Sequence, residues 1–166
     1  MVTLNNATVA STETNALSDI AIRSGASNNL VINNSTVVAT VGKGLDVMSS
    51  SGTTDVYSSL IVGATPVNGS LTTSTGGTLQ FTSAATAGLA ALANNGGPTR
   101  TFALLSGVAV DGGDCVSAPF PRYDQRFYMN YATNRRGVVT TCDVGAFEKN
   151  AQDLLAVQIF ADEFEF

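Results

Sequence analysis

Two eleven-residue stretches of the chain, VTLNNATVAST (residues 2–12) and LVINNSTVVAT (30–40), overlay position for position at an offset of 28 residues. A third, TDVYSSLIVGA (54–64), continues the series 24 residues further on. Between them, IAIRSGAS (20–27) matches LDVMSSSGT (45–53) at an offset of 25. Each unit holds two or three β-branched runs of three to five residues, separated by Asn, Ser and Gly. Runs that short, alternating in polarity, read as strands.

A period of 24–28 residues with several strands per period points to stacked coils. One coil cannot bury its inward Val, Leu and Ile alone. Coils stacked about 4.8 Å apart bury them as continuous columns and pair their strands in parallel. An antiparallel sandwich also uses short strands, but nothing in it requires a fixed repeat with asparagine at the same place. Asn6 and Asn34 fall at equivalent corners. Asparagine tolerates the left-handed backbone a corner needs, and its amide can bond to the asparagine of the next coil. The sequons at Asn6, Asn33, Asn34 and Asn68 read as chance in a chain this rich in Asn, Ser and Thr. About three coils are visible and begin in mid-pattern, as expected of the C-terminal piece of a longer stack with further β-helix coils upstream.

Composition narrows the function. The chain has 166 residues and a formal charge of −5, with no basic field for nucleic acid. It has no histidine, which removes the commonest general base and the commonest metal ligand. No apolar run approaches the ~20 residues of a membrane span, and the N-terminus lacks the pattern of a signal peptide. The two cysteines, Cys115 and Cys142, are either two buried thiols or one disulfide. Their Gly-, Asp- and Pro-rich setting favours the bridge, and with it an extracellular or cell-surface location. A bridge would close a loop of about 27 residues and stabilise it by ~3 kcal/mol.

Only six charged side chains lie in the first 99 residues and fifteen in the rest. The chain therefore divides into coils (1–82), a C-terminal cap (83–149) and a tail (150–166). SLTTSTGGTLQFTS (70–83) adds a last pair of strands. TSAATAGLAALANNGG (82–97) reads as one short helix, ended by Asn94, Asn95, Gly96 and Gly97 and blocked by Pro98. A strand follows, then a tight turn at Asp111, Gly112, Gly113 and Asp114.

LAALANNGGPTRTFALLSGVAVDGGDC (89–115), DQR (124–126) and CDVGAFE (142–148) resemble, in order, the C-terminal motifs of the bacterial choice-of-anchor Q family. The pattern there runs L-x-x-L-x-x-N-G-G-x-T-x-T-x-x-L, S-P-A-I-D-x-G, D-Q-R-G and C-D-I-G-A-[FY]-E. GVAVDGGD lacks the proline of the second motif, and Phe127 replaces the glycine of the third. The tail VQIFADEFEF (157–166) is similar to the IF-x-D-G-F-E endings of some exported proteobacterial proteins, with Glu163 where glycine is usual. The resemblance, often accompanied by a CSLREA-type N-terminal region, implies an exported right-handed parallel β-helix. It carries no catalytic residues over.

The expectation is an all-β fold: a right-handed parallel β-helix with one short helix and an irregular cap. The functional expectation is a non-catalytic surface module, structural, adhesive or glycan-binding, with a polysaccharide or cell-surface ligand as partner. The alternative is a polysaccharide lyase or glycoside hydrolase. Such an enzyme needs paired carboxylates, or calcium-bound Asp with a basic partner. Asp111, Asp114, Asp124, Arg126, Arg135, Arg136 and Asp143 are the candidates, and the coil acids Glu13, Asp19, Asp46 and Asp55 are scattered. The competing reading of Asp124, Arg126 and Asp143 is ion pairing and turn capping. No cofactor is expected, although DGGD offers carboxylates to calcium. Asn95, Gly96, Gly97, Pro98, Gln125, Gly145 and Glu148 read as structural. Phe120, Tyr123, Phe127, Tyr128 and Tyr131 are either the core of the cap or the lining of a ligand groove.

Overall fold

The computed structural model describes residues 1–48, 51–114, 122–129 and 141–153. The first coil comprises β1 (Val2–Asn5), β2 (Thr8–Ser11) and β3 (Ile20–Ser24). β4 (Leu30–Asn33), β5 (Thr36–Ala39) and β6 (Lys43–Val47) make the second. The third is β7 (Thr54–Tyr57), β8 (Leu60–Val62) and β9 (Thr65–Asn68), and β10 (Thr73–Thr75) and β11 (Leu79–Phe81) begin a fourth. They stack into three parallel sheets, ordered β1-β4-β7-β10, β2-β5-β8-β11 and β3-β6-β9. This all-β stack is compatible with a parallel β-helix.

Register follows the repeat. Val2 pairs with Leu30 and Leu30 with Thr54, and Thr8 pairs with Thr36 and Thr36 with Leu60. In the third sheet Ile22 faces Leu45, an offset of 23 rather than the expected 25. The bend from β2 to β3 takes residues 12–19, whereas that from β5 to β6 takes only 40–42. Local resemblance across turns of unequal length misplaced that alignment by two residues.

The inward rows form columns. Leu4, Ile32 and Val56 align in the first sheet, Val37 and Ile61 in the second, and Ile22, Leu45 and Val67 in the third. The middle strands of the second sheet, β5 and β8, are buried on both faces, because Val38, Leu60 and Val62 point outward into a second core. That explains why LIV reads as an unbroken apolar run.

Each coil turns its first corner through a left-handed residue: Asn6 (φ 54°), Asn34 (43°), Ser58 (43°) and Gly76 (67°). A column of hydroxyls follows. The Ser35 hydroxyl accepts the Ala7 N–H at 3.1 Å, Ser59 accepts the Ser35 N–H at 3.0 Å, and Thr78 accepts the Ser59 N–H at 3.4 Å. Ser35 and Ser59 donate in turn to the carbonyls of Asn33 and Tyr57, so each corner is tied within and between coils. The asparagine ladder lies one residue earlier than expected: the Asn33 amide donates to Asn5 Oδ1 at 2.8 Å. Asn34 is buried, and its side-chain amide has no partner among the described residues. The burial of Asn33 and Asn34 leaves no room for a glycan at either sequon.

No helix forms over residues 82–97. Residues 83–88 make a turn in which Ser83 and Thr86 bond each other, and Leu89–Ala93 is strand β12. It pairs antiparallel with β13 (Thr101–Leu104). Leu89, Phe102 and Leu104 cover Val38, Leu60 and Val62, and that burial outweighs the helical preference of alanine. Short antiparallel pairs complete the chain: β14 (Gly113–Asp114) with β16 (Thr141–Cys142), and β15 (Tyr128–Met129) with β17 (Gln152–Asp153).

Buried Asp19 ties the first coil to the second by accepting the N–H groups of Val41 and Gly42 at 2.6 and 2.8 Å. Burial pushes its carboxyl up, but the neighbouring Ser11 hydroxyl and the N–H groups of Val41, Gly42 and Thr40 outweigh burial and hold it below the usual value of 3.8. Its folded pKa is depressed, so its contribution is present above the unfolded value and is lost as pH falls through the folded one. Denaturation from pH 5 down to pH 2 should therefore show a steeper loss of stability for the parent than for Asp19→Asn. Equal slopes would contradict this role.

Candidate functional site

The three C-terminal motifs lie far apart in the chain and meet in space. Residues 94–100 form the loop between β12 and β13, not the end of a helix. Asn95 shapes it by donating to the Thr101 carbonyl at 2.8 Å, while Gly96 and Gly97 have φ of 92° and 75°. A side chain on Gly97 would meet the Arg126 backbone at 2.6 Å, and one on Gly96 would collide with the Tyr128 hydroxyl. The glycines are needed for close approach of DQR as well as for the turn.

Asp124 and Arg126 form the centre, 1% and 7% exposed. Asp124 Oδ1 accepts the N–H groups of Arg126 and Tyr128 at 2.8 and 3.1 Å. Its Oδ2 accepts Arg126 Nε at 2.7 Å and the Glu148 N–H at 3.1 Å, and lies 2.6 Å from Arg126 Nη2 in the ion pair. Arg126 also donates from Nη2 to the Glu148 carbonyl at 2.7 Å and from Nη1 to the Asn95 carbonyl at 3.4 Å. Its guanidinium lies between Phe147 and Tyr128, 3.7 and 4.2 Å from the ring centroids. One arginine thus joins NGGPT, DQR and CDVGAFE through a planar fork that lysine cannot reproduce.

From this centre the chain runs as a strap along the corner column. The Asp114 N–H bonds to Gly76, the Gly145 N–H to the Ser58 carbonyl at 2.9 Å, and the Ala146 N–H to the Thr36 hydroxyl at 2.9 Å. Gln125 N–H donates to the Ala146 carbonyl, Thr8 donates to Gln125 Oε1 at 2.5 Å, and Asn6 donates to the Tyr123 carbonyl at 2.9 Å. The segment expected as an end cap therefore crosses every coil along its side.

Asp143 accepts the Asp111 N–H at 2.8 Å and the Lys149 N–H at 2.6 Å, and its own N–H donates to Glu148 at 3.0 Å. Carboxylate oxygens of Asp111, Asp143 and Glu148 all lie within 4.8 Å of one another. Calcium takes six to eight oxygens. Here Asp143 and Glu148 already accept backbone N–H groups, so the cluster's evident chemistry is the fixing of a turn. The DGGD turn brings Asp111 into the group, with its backbone left-handed at φ 54°. Asp114 sits in β14.

The coil acids do not converge. Asp46 lies on the third sheet between Arg23 and Asn68, taking Arg23 Nε and Lys43 Nζ at 3.1 Å and the Asn68 amide at 2.7 Å. Burial raises its pKa, and these partners outweigh burial and hold it low. Glu13 is exposed and Asp55 half-buried. Tyr123 and Tyr128 are half-buried, and Phe127 stands out at the surface. Cys142 is buried in β16. Cys115, Phe120, Tyr131, Arg135, Arg136 and the tail beyond residue 153 lie outside the described residues. Among the described residues there is no helix long and apolar enough to cross a membrane.

Comparison with protein-family models, with curated proteins and with solved structures finds no match.

Sequence reasoning read Asp124 with Arg126 as an ion pair and Asp143 as a turn cap, as the structure has them, but missed that they share one cluster with Asn95, Phe147 and Glu148. Arg126→Ala should cost about 3–5 kcal/mol in chemical denaturation, because it strands a buried carboxylate. Arg126→Lys should recover less than half of that loss. Exposed Arg100→Ala should stay within about 0.5 kcal/mol of the parent. An Arg126→Ala variant as stable as the Arg100 variant would contradict the assignment.

Proposed function

We propose that the chain is a non-catalytic module displayed outside a bacterial cell, with a structural, adhesive or glycan-binding role, and that it belongs with the choice-of-anchor Q proteins it resembles. The finer fold in this reading is a right-handed parallel β-helix, the hand that parallel crossovers almost always take. The observation that carries the non-catalytic reading is the state of Asp124. A carboxylate that is 1% exposed, accepts four N–H groups and is ion-paired to Arg126 has no lone pair directed at a substrate. Asp143 and Glu148 are committed in the same way.

Further coils upstream fit the first coil. Its strands β1, β2 and β3 are the free edges of all three sheets, and Val2, Leu4 and Ile22 border an open apolar cleft beside them. An upstream coil would pair these edges and extend the inward columns.

Incubation with polygalacturonate and related glycans should release neither reducing ends nor unsaturated uronate. Sustained turnover by the purified chain would replace this reading with that of a polysaccharide lyase or hydrolase.

The reading includes a Cys115–Cys142 bridge, from which the extracellular location follows. Peptide mapping without reduction should recover the two cysteines in one cross-linked species. Alkylation of both before any reductant is added would contradict the bridge.

A further inference from the structure

Phe127 is placed against its own preferences. Its backbone is left-handed at φ 67°, a region bulky side chains avoid, and its ring is 60% exposed. The turn that holds it belongs to the buried pair beneath. The Phe127 N–H donates to the Asp124 carbonyl at 3.0 Å, and Asp124 Oδ1 fixes the N–H groups on either side. Backbone strain that surrounding structure enforces is a feature of functional positions.

The ring borders a cleft of about 260 Å³ lined by Asn5, Asn6, Tyr123, Asp124 and Gln125. Two aromatics and three carboxamides form most of its wall. The amides are oriented from behind. Gln125 is held by Thr8 and Thr99, Asn6 by the Tyr123 carbonyl, and Asn5 Oδ1 by the Asn33 amide. Of the lining residues only Asp124 is charged, and Arg126 neutralises it, while the Arg122 guanidinium lies 5.8 Å from the Tyr123 ring centroid. The result is a cleft with no unpaired acidic group, an aromatic platform and carboxamide walls. The C–H face of a pyranose carries slight positive charge that suits the negative face of an aromatic ring, and its hydroxyls pair with amides.

We infer that this cleft is a subsite for a sugar ring of a neutral glycan, with Phe127 as the stacking platform and the carboxamides of its wall as hydrogen-bonding groups. The volume, just below the ~300–1,000 Å³ of ordinary ligand pockets, suits one ring. The inference rests on the reading of the chain as a surface module and names its ligand class and contact point.

Affinity electrophoresis tests it, using gels containing galactomannan, xyloglucan or mixed-linkage β-glucan, with polygalacturonate as the charged comparison. The parent should be retarded in at least one neutral gel. Phe127→Gly suits the left-handed backbone, so it should melt no lower than the parent yet bind at least about ten-fold more weakly. Phe127→Tyr should keep affinity within about three-fold, because the ring face is retained. No retardation in any neutral gel, retardation confined to polygalacturonate, or undiminished binding by Phe127→Gly would each overturn the inference. None of those results bears on the absence of turnover, and turnover would sink the non-catalytic reading whatever the gels show.

Discussion

The buried pair of Asp124 and Arg126 decides what the C-terminal half of this chain can be. Two charges removed from water are tolerated only when every lone pair and every N–H finds a partner. The carboxylate accepts four N–H groups and pairs with the guanidinium, which reaches two carbonyls and two aromatic faces. Those partners come from three segments separated by many residues. The pair therefore acts as a positional lock, because no one segment can shift without stranding a charge. Phe147 lies against Arg126 on one side and belongs to the outer apolar core, which links the lock to the coils.

The coils need such a lock because stacking is specific in one direction only. Along the stack, parallel pairing and inward columns set the register between neighbours. At the corners, a left-handed residue and a hydroxyl repeat from coil to coil. Nothing in that scheme prevents the coils from separating one after another, since each contacts only its neighbours. The strap supplies the missing contact. Its Gly145 and Ala146 reach the third and second coils, and Gln125 and Tyr123 reach the first.

How much of this was legible in the sequence depended on distance along the chain. The offsets of 28 and 24 predict the pairing of Val2 with Leu30 and of Leu30 with Thr54, because the strands of the first two sheets are joined by corners of constant length. The third sheet follows bends of unequal length, so its register was not readable from similarity alone. Leucine and alanine at residues 89–93 suggested a helix. What makes them a strand is the outward row Val38, Leu60 and Val62, which no local window reveals. The convergence of Asn95, Arg126 and Glu148 left one trace, the fixed order of three motifs. Nothing in the local sequence signals the left-handed backbone of Phe127, which the buried Asp124 turn imposes.

The central claim is that the strap and the coils form one cooperative unit. Native-state hydrogen exchange followed residue by residue tests it most directly. The amides of Gly145, Ala146, Glu148 and Arg126 should exchange with the same opening free energy as the coil amides of Ser35 and Leu60. Strap amides that exchange freely while those coil amides stay protected would contradict it.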